Sequence, residues 1–315
     1  MNIIFFGTSD FAVPSLKRLL GSKHEVVSLV TQPDRKKGRR QVVSPPPTKV
    51  AALCLGVPVF QPEDVSDQNS IEYLKKLGAD LFVVVSFGQI LKKEILAIPK
   101  LYCINLHGSL LPKYRGAAPT NWAIINGERA TGVSVIKMNE RMDAGDIISR
   151  KELEVKEKDT NLSLSERLKL TGAELLLETI ESISKGIATF RRQDDKQATY
   201  APKLKKKDGL INWEEPSLKV HNKVRGFIPW PGAYTYFEGR ILKIWKTEVL
   251  EIAAEKIKAG SFGEVIDIIK DKGIIVSTGS GAILIKELQL EGKKVLDCDS
   301  FIRGHMINSG YKFVK

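Results

Sequence analysis

Leu81-Phe82-Val83-Val84-Val85-Ser86 is the stretch on which the fold turns. Five apolar residues follow one another without alternation, so the strand they form has no face suited to water. Strands of that kind belong to parallel sheets covered by helices on both sides. The pattern repeats outward from it. Asn2 to Phe6 is a short apolar run ended by Gly7, and Ser9 or Asp10 stands where it can cap a following helix. Phe11, Leu16, Leu19 and Leu20 keep a helical period up to Gly21. Glu25 to Val30 reads as a strand, Lys49 to Leu55 as a helix closed by Gly56, and Val57 to Phe60 as a short strand. Ile71 to Leu77 reads as a helix closed by Gly78, and Cys103 to His107 as another strand. Strands separated by helices predict an α/β fold with a doubly wound, mostly parallel sheet. Such sheets bind ligands at the carboxyl ends of their strands.

After Thr131 the pattern changes. Thr131 to Lys137 and Asp146 to Val155 read as strands flanking a turn, and Leu162 to Ser184 as a long helix. Tyr200 to Gly209 is polar and basic and reads as a hinge. A short helix is expected at Ser217 to Arg225, then strands at 233–237, 241–247, 263–269, 273–277 and 282–290. Short strands with glycine turns predict a small barrel. Gln32 to Pro47, rich in proline and cations with no apolar period, reads as a long loop.

Composition narrows the function. The chain has 315 residues, of which 43% are hydrophobic and 27% charged, values that exclude a disordered or collagen-like chain. No apolar run is long enough to cross a bilayer. The first residues lack a basic region and a cleavage site, so no signal peptide is expected. Cys54, Cys103 and Cys298 are widely spaced and form no disulfide or metal pattern, which points to a reducing cytoplasm. His24, His107, His221 and His305 lie at no ligand spacing, so no metal is expected. The net charge of +12 makes a polyanionic partner plausible. Arg35, Lys36, Lys37, Arg39 and Arg40 form one basic cluster, and Lys203, Lys205, Lys206 and Lys207 a second.

Gly7-Thr8-Ser9-Asp10 follows a strand, but the three-glycine dinucleotide pattern is absent, which excludes a nicotinamide enzyme of that type. The strongest segment begins at Asn105-Leu106-His107-Gly108-Ser109-Leu110-Leu111-Pro112 and continues to Pro119. Strand alternation puts Asn105 and His107 on one face and Leu106 on the other. An amide donor and a titratable imidazole thus emerge together at a carboxyl strand end. Two glycines and two prolines constrain the loop behind them, as an active site requires. Met142-Asp143-Ala144-Gly145-Asp146 places two acids in a turn, and one of them can orient and charge-stabilise an imidazole.

Taken together, the Asn-x-His pair, the Ser-Leu-Leu-Pro loop and the Asp-x-Gly-Asp turn resemble the formyltetrahydrofolate-dependent formyltransferases. The likeness extends through Thr31-Gln32-Pro33-Asp34-Arg35, Gly38-Arg39, Arg115-Gly116-Ala117-Ala118-Pro119, Thr199-Tyr200-Ala201 with Lys203-Leu204, and Pro229-Trp230-Pro231. It covers most of both halves and is strongest to the members that act on initiator methionyl-tRNA. Lys36-Lys37 before Gly38 depart from the pattern, where smaller or less charged residues are expected.

The resemblance implies a Rossmann-like formyltransferase domain at 1–187, a basic linker at 188–207 and an OB-like β-barrel at 208–315 that binds tRNA. It implies 10-formyltetrahydrofolate as formyl donor, the methionyl α-amine as acceptor, and no metal. Asn105, His107 and Asp143 are then the catalytic group. Ser109, Leu110, Leu111 and Pro112 form one wall for folate, with Phe87, Gly88, Gln89, Ile90 and Leu91 as the other. The two basic clusters contact tRNA, with Arg39 the foremost candidate. A cytoplasmic monomer is expected. Two other classes remain open: a formyltransferase with a small substrate, such as a purine precursor or an amino sugar nucleotide, and a non-catalytic RNA-binding protein on the same fold.

Overall fold

A computed structural model describes residues 1–38, 41–250 and 261–314; the side chain of Lys37 also lies outside the described set. In chain order the strands and helices are β1 (Asn2–Gly7), α1 (Val13–Leu20), β2 (Glu25–Val30), β3 (Arg35–Lys37), β4 (Val42–Ser44), α2 (Pro47–Cys54), β5 (Val59–Phe60) and α3 (Gln68–Lys76). There follow β6 (Leu81–Val85), α4 (Lys93–Leu96), β7 (Tyr102–His107), β8 (Arg115–Gly116), α5 (Pro119–Ile125), β9 (Ala130–Lys137), β10 (Ile147–Glu154), α6 (Asn161–Ser184) and β11 (Tyr200–Ala201). The last part holds α7 (Ser217–Gly226), β12 (Ala233–Phe237), β13 (Arg240–Leu250), β14 (Val265–Ile269), β15 (Gly273–Ser277), β16 (Ala282–Leu290), β17 (Leu296–Asp297) and α8 (Cys298–Gly304). No described helix is long and apolar enough to cross a membrane.

Contacts divide the chain into two units. The first comprises Met1–Pro119, Ala130–Glu154 and Ser165–Ala201; the second comprises Thr120–Arg129, Val155–Leu164 and Pro202 onward. The first unit is built on a seven-stranded sheet in the order β10-β9-β7-β6-β1-β2-β5. The five strands from β7 to β5 run parallel, and β9 and β10 are antiparallel additions beside β7. All five residues of β6 are buried, as their unbroken apolar run requires. Phe82 and Val84 meet Ile4, Phe6, Val30 and Leu74 in one core, where each fully buried large side chain contributes about 1.5–3 kcal/mol. On the other side α6 approaches β7 closely. A Cβ on Gly172 would stand 2.8 Å from a terminal methyl of Leu106, so any larger residue there would have to displace that side chain.

The stretch expected as a loop from Gln32 to Pro47 contains a hairpin instead. Arg35 pairs with Ser44 and Lys37 with Val42, and Gly38 takes a φ of 70° in the turn. Val42 and Val43 supply the β-branched character, which the surrounding cations and prolines obscure in the sequence. Ser9 does stand at a helix N-cap position, but its hydroxyl makes no cap and donates to Ser86 Oγ at 2.8 Å. The stretch read as a basic linker is divided between the units. Residues 188–201 belong to the first, where Arg191 bridges Ile147 and β11 pairs with β8. Three helices, α4, α5 and α8, have no counterpart in the sequence reading; they have four, seven and seven residues, too few to establish a period.

The second unit carries an antiparallel sheet in the order β12-β13-β16-β15-β14, with β17 beside β16. Lys312 bridges Glu264 and Val314 bridges Tyr236, so the last described residues join the two edges of the sheet. The sheet is thereby closed into a small barrel. Its interior follows strand alternation: Ala233, Thr235 and Phe237 on β12 and Leu242 and Ile244 on β13 are buried, while Tyr234, Tyr236, Lys243 and Trp245 are half-exposed. Phe237, Phe301, Trp213 and Phe313 fill the centre. Trp213 Nε1 donates to Thr235 Oγ1 at 3.2 Å, and that hydroxyl donates to the Val314 carbonyl at 2.9 Å. This polar pair in the core is therefore satisfied, as burial demands.

Candidate active site

Asn105 and His107 stand at the end of β7, between β6 and β9. Their shared face agrees with Leu106 turning the other way, against α6. His107 is only 6% exposed. Its Nε2 lies 2.8 Å from the Tyr114 carbonyl, which can only accept, so Nε2 carries the hydrogen. In the neutral ring Nδ1 is then the free base. Nδ1 faces Asp143 Oδ2 at 3.6 Å, too long for a hydrogen bond but close for a charge pair. Asp143 Oδ2 also accepts the Gly116 amide at 2.8 Å. Asn105 is half-buried and its carboxamide has no hydrogen-bond partner among the described residues, so its donors remain available.

The surroundings explain why these groups stay in place. Ser134 on β9 is fully buried, accepts the Leu111 amide at 3.1 Å and donates to the Ser109 carbonyl at 2.7 Å. Arg150 on β10 donates to the Leu111 carbonyl at 2.9 Å, and Ser109 Oγ to the Lys113 carbonyl at 2.6 Å. Thr199 accepts the Tyr114 amide on its hydroxyl at 2.9 Å and the Arg115 amide on its carbonyl at 2.9 Å. The Thr199-Tyr200-Ala201 motif thus clamps the loop behind His107, Thr199 by its hydrogen bonds and Tyr200 and Ala201 as β11. Gln193 donates to the carbonyls of Asp143 and Gly145 and accepts from Arg115. Asp195 accepts from Arg115 at 2.8 Å and Arg141 at 2.9 Å, which holds its carboxyl below the usual aspartate range.

Ser86, Tyr114 and Asp143 all have φ between 49° and 60°. Left-handed backbone costs a residue with a side chain about 1–3 kcal/mol, and such strain collects where geometry serves chemistry. Gly145 is a matter of space: a Cβ there would lie 1.8 Å from the Lys137 carbonyl oxygen.

Burial divides the residues expected to form the two folate walls. Phe87 and Leu91 are buried, and Phe87 sets an edge against Phe6 at 5.4 Å between ring centres. Ser109 and Leu111 are fully buried as well. Phe87, Leu91 and Leu111 pack into core clusters and Ser109 is hydrogen-bonded within its loop, so these four side chains present almost no exposed surface. Gln89 is occupied too, accepting the Val65 amide at 2.8 Å and donating to the Glu63 carbonyl at 3.1 Å. What remains is Ile90, which is 70% exposed, the open Gly88, half-buried Leu110 and Pro112, and local backbone groups. Apolar surface beside backbone donors and acceptors fits a flat pterin.

Of the basic residues, Arg35, Lys36, Lys203, Lys205, Lys206 and Lys207 are exposed. Arg35 is paired with Glu63. Arg39, Arg40 and the Lys37 side chain lie outside the described residues. Among the described residues no group of three or more His, Cys, Asp and Glu stands where it could hold a metal ion. Sequence reasoning did not single out Ser134, Gln193 or Asp195. A serine in an otherwise apolar strand is a faint signal for the first; nothing in the sequence marks the other two.

Known proteins resemble this chain in sequence and in fold. Residues 1–180 match the formyl transferase family model, and residues 203–306 match the model for the formyl transferase C-terminal domain. The methionyl-tRNA formyltransferase of Geobacter metallireducens is 45% identical over 99% of this chain and 98% of its own length. That of Thermodesulfovibrio yellowstonii is 47% identical over 98% of this chain and 97% of its own. Among solved structures, the sugar 3N-formyl transferase WlaRD superposes with a TM-score of 0.65 at 21% identity, covering 93% of this chain and 99% of that one. HypX from Aquifex aeolicus in complex with tetrahydrofolic acid superposes with a TM-score of 0.63 at 20% identity, covering 95% of this chain and 46% of that one. The structural likenesses speak to the fold; the full-length sequence identity places this chain in the methionyl-tRNA formyltransferase family.

Proposed function

We infer that the protein moves a formyl group from N10 of 10-formyltetrahydrofolate to the α-amine of methionyl initiator tRNA, giving N-formylmethionyl-tRNA for translation initiation. The nucleophile belongs to the substrate, so the chain needs no serine or cysteine nucleophile. The amine attacks the formyl carbon and a tetrahedral oxyanion forms. The carboxamide of Asn105 donates to that oxygen; one such donor supplies about 2.7–4 kcal/mol of transition-state stabilisation in other acyl transfers. The amine then loses a proton and N10 gains one as the C–N10 bond breaks. His107 Nδ1 takes the amine proton, and Asp143 offsets the positive charge this creates on the imidazole.

The observation that supports this most is the Asn105, His107 and Asp143 group, with Nδ1 at 3.6 Å from Oδ2, in a chain of this sequence family. Ile90, Leu110 and the backbone of 86–91 and 109–112 form the folate site. Catalysis belongs to the first unit, which runs on through residues 188–201, and tRNA contact to residues 208–315, with the lysines of 203–207 standing between them in the sequence. Arg35, Lys36, Lys37, Arg39 and Arg40 clamp the acceptor end, with Arg39 making the specific contact, since a guanidinium forks onto phosphate or a base edge. The lysines at 203 and 205–207 touch the phosphate backbone. The protein acts as a monomer in the cytoplasm, where its tRNA substrate is. The test supplies labelled 10-formyltetrahydrofolate with charged initiator tRNA, charged elongator methionine tRNA and an amino sugar nucleotide. Label is expected on initiator tRNA alone; label on the sugar and none on tRNA overturns the reading.

A further inference from the structure

We propose that Gln193 is a positioning residue for the transfer reaction, holding the Asp143 turn in register with the loop behind His107. The inference rests on the role given above to Asp143. Gln193 is 7% exposed and every polar atom of its carboxamide is engaged. Its amide donates to the Asp143 carbonyl at 2.8 Å and the Gly145 carbonyl at 2.7 Å. Its oxygen accepts from Arg115 Nε at 3.1 Å and Nη2 at 2.8 Å. Arg115 is itself 4% exposed and lies one residue before Gly116, whose amide binds the Asp143 carboxylate. One buried side chain therefore joins both segments that carry the His107–Asp143 contact.

The need for such a tie follows from the backbone. Asp143 sits at a φ of 50° and Tyr114 at 60°, and neither is a glycine. Left alone, each segment relaxes toward ordinary backbone, and the carboxylate moves off Nδ1. Displacements of about 1 Å at a reacting group cost about a hundredfold in rate. Gln193 opposes that relaxation by fixing carbonyls on both sides of Ala144, and Arg115 fixes the Gln193 amide so that its donors cannot flip away.

The test is a cycle of four proteins: wild type, Asp143→Asn, Gln193→Met and the double variant. Single-turnover rate, KM for folate and tRNA, and the pH profile are measured for each, with the active fraction fixed by titration. Gln193→Met is expected to lower the rate about tenfold or more with both KM values little changed, and to shift the acid limb of the pH profile. In the Asp143→Asn background the same substitution is expected to cost almost nothing further. Gln193→Glu, which keeps the acceptor for Arg115 but removes the donors, is expected to match Gln193→Met and covers the case in which the latter folds poorly. A rate unchanged in Gln193→Glu, or full additivity with Asp143→Asn, overturns the proposal. A wild-type rate in Asp143→Asn alone overturns the underlying role of Asp143 instead.

Discussion

The Asp143 carboxylate and the Gly116 amide are joined at 2.8 Å, although 27 residues separate them. The oxygen that accepts this bond is the one that faces His107 Nδ1. Backbone hydrogen bonding thus aims the charge of Asp143, and the imidazole receives it without competing for the carboxylate's position.

Replacement of Asn105, His107 or Asp143 by alanine is expected to lower single-turnover transfer at least about a hundredfold, the low end for a lost oxyanion donor. Folate and tRNA affinities should change much less, since these groups act on the transition state. Near wild-type transfer by His107→Ala would remove the imidazole from the mechanism.

Ser134→Ala deletes the hydroxyl shared by the Leu111 amide and the Ser109 carbonyl. Both are then buried without that partner, at about 1–3 kcal/mol for each unsatisfied group. The expected outcome is a lowered unfolding midpoint and weaker folate binding, measured by melting and by titration. A variant with wild-type values in both would show that the loop does not depend on this serine.

Two glycine replacements should differ sharply. Gly116 has a φ of 124°, and an added Cβ would lie 2.6 Å from the Ala201 carbonyl oxygen. Gly38 has a φ of 70° with nothing within 4 Å of the added atom. Gly38→Ala should cost about 1–2 kcal/mol from backbone strain alone. Gly116→Ala should cost more, since it also forces β8 from β11, and should depress transfer as well as stability. Equal melting shifts in the two variants would contradict this account of the clamp.

Changing Lys203, Lys205, Lys206 and Lys207 to glutamine probes the basic stretch. For every phosphate left without its lysine, the slope of log affinity against log salt should shrink by about 0.7–0.9. Discrimination between initiator and elongator tRNA should be nearly unchanged, because phosphate contacts position without specifying. Identical slopes in wild type and variant would return these lysines to the solvent.

Stability should fall on mild acidification. Burial, with the Met1 amino group adding to it, pushes the His24 imidazole below its ordinary 6.5, against the pull of Glu181. Burial, with Arg225 adding to it, lowers His221 likewise, against Glu157 and Glu248. Both rings bind protons less readily folded than unfolded. Their contribution is complete above about pH 6.5 and is lost as pH falls through the lowered folded values, at a slope of up to about 1.4 kcal/mol per pH unit for each ring. Denaturant unfolding between pH 8 and 5 should show the slope, and His24→Gln or His221→Gln should flatten it. A pH-independent midpoint in wild type across that range would refute the assignment.

Local pattern alone was enough for much of this molecule. The unbroken run of β6, the helical spacing of α1 and the alternation along β12 and β13 each depend on neighbours a few residues apart, and the strands and helices stand where those periods put them. Asn105 and His107 were legible for the same reason, since a spacing of two decides a strand face. Charge hid the hairpin of β3 and β4, where cations mask a short valine pair. Tertiary structure alone decided the rest: that Tyr200 and Ala201 pair with Arg115 and Gly116, that Gln193 meets Asp143 from 50 residues away, and that Phe87 faces the core and Ile90 does not. These are contacts between segments distant in sequence, each made by a side chain or backbone group with no period to betray it. They exist because a buried amide, guanidinium or carbonyl must find a partner, and only the folded chain determines which partner lies within reach.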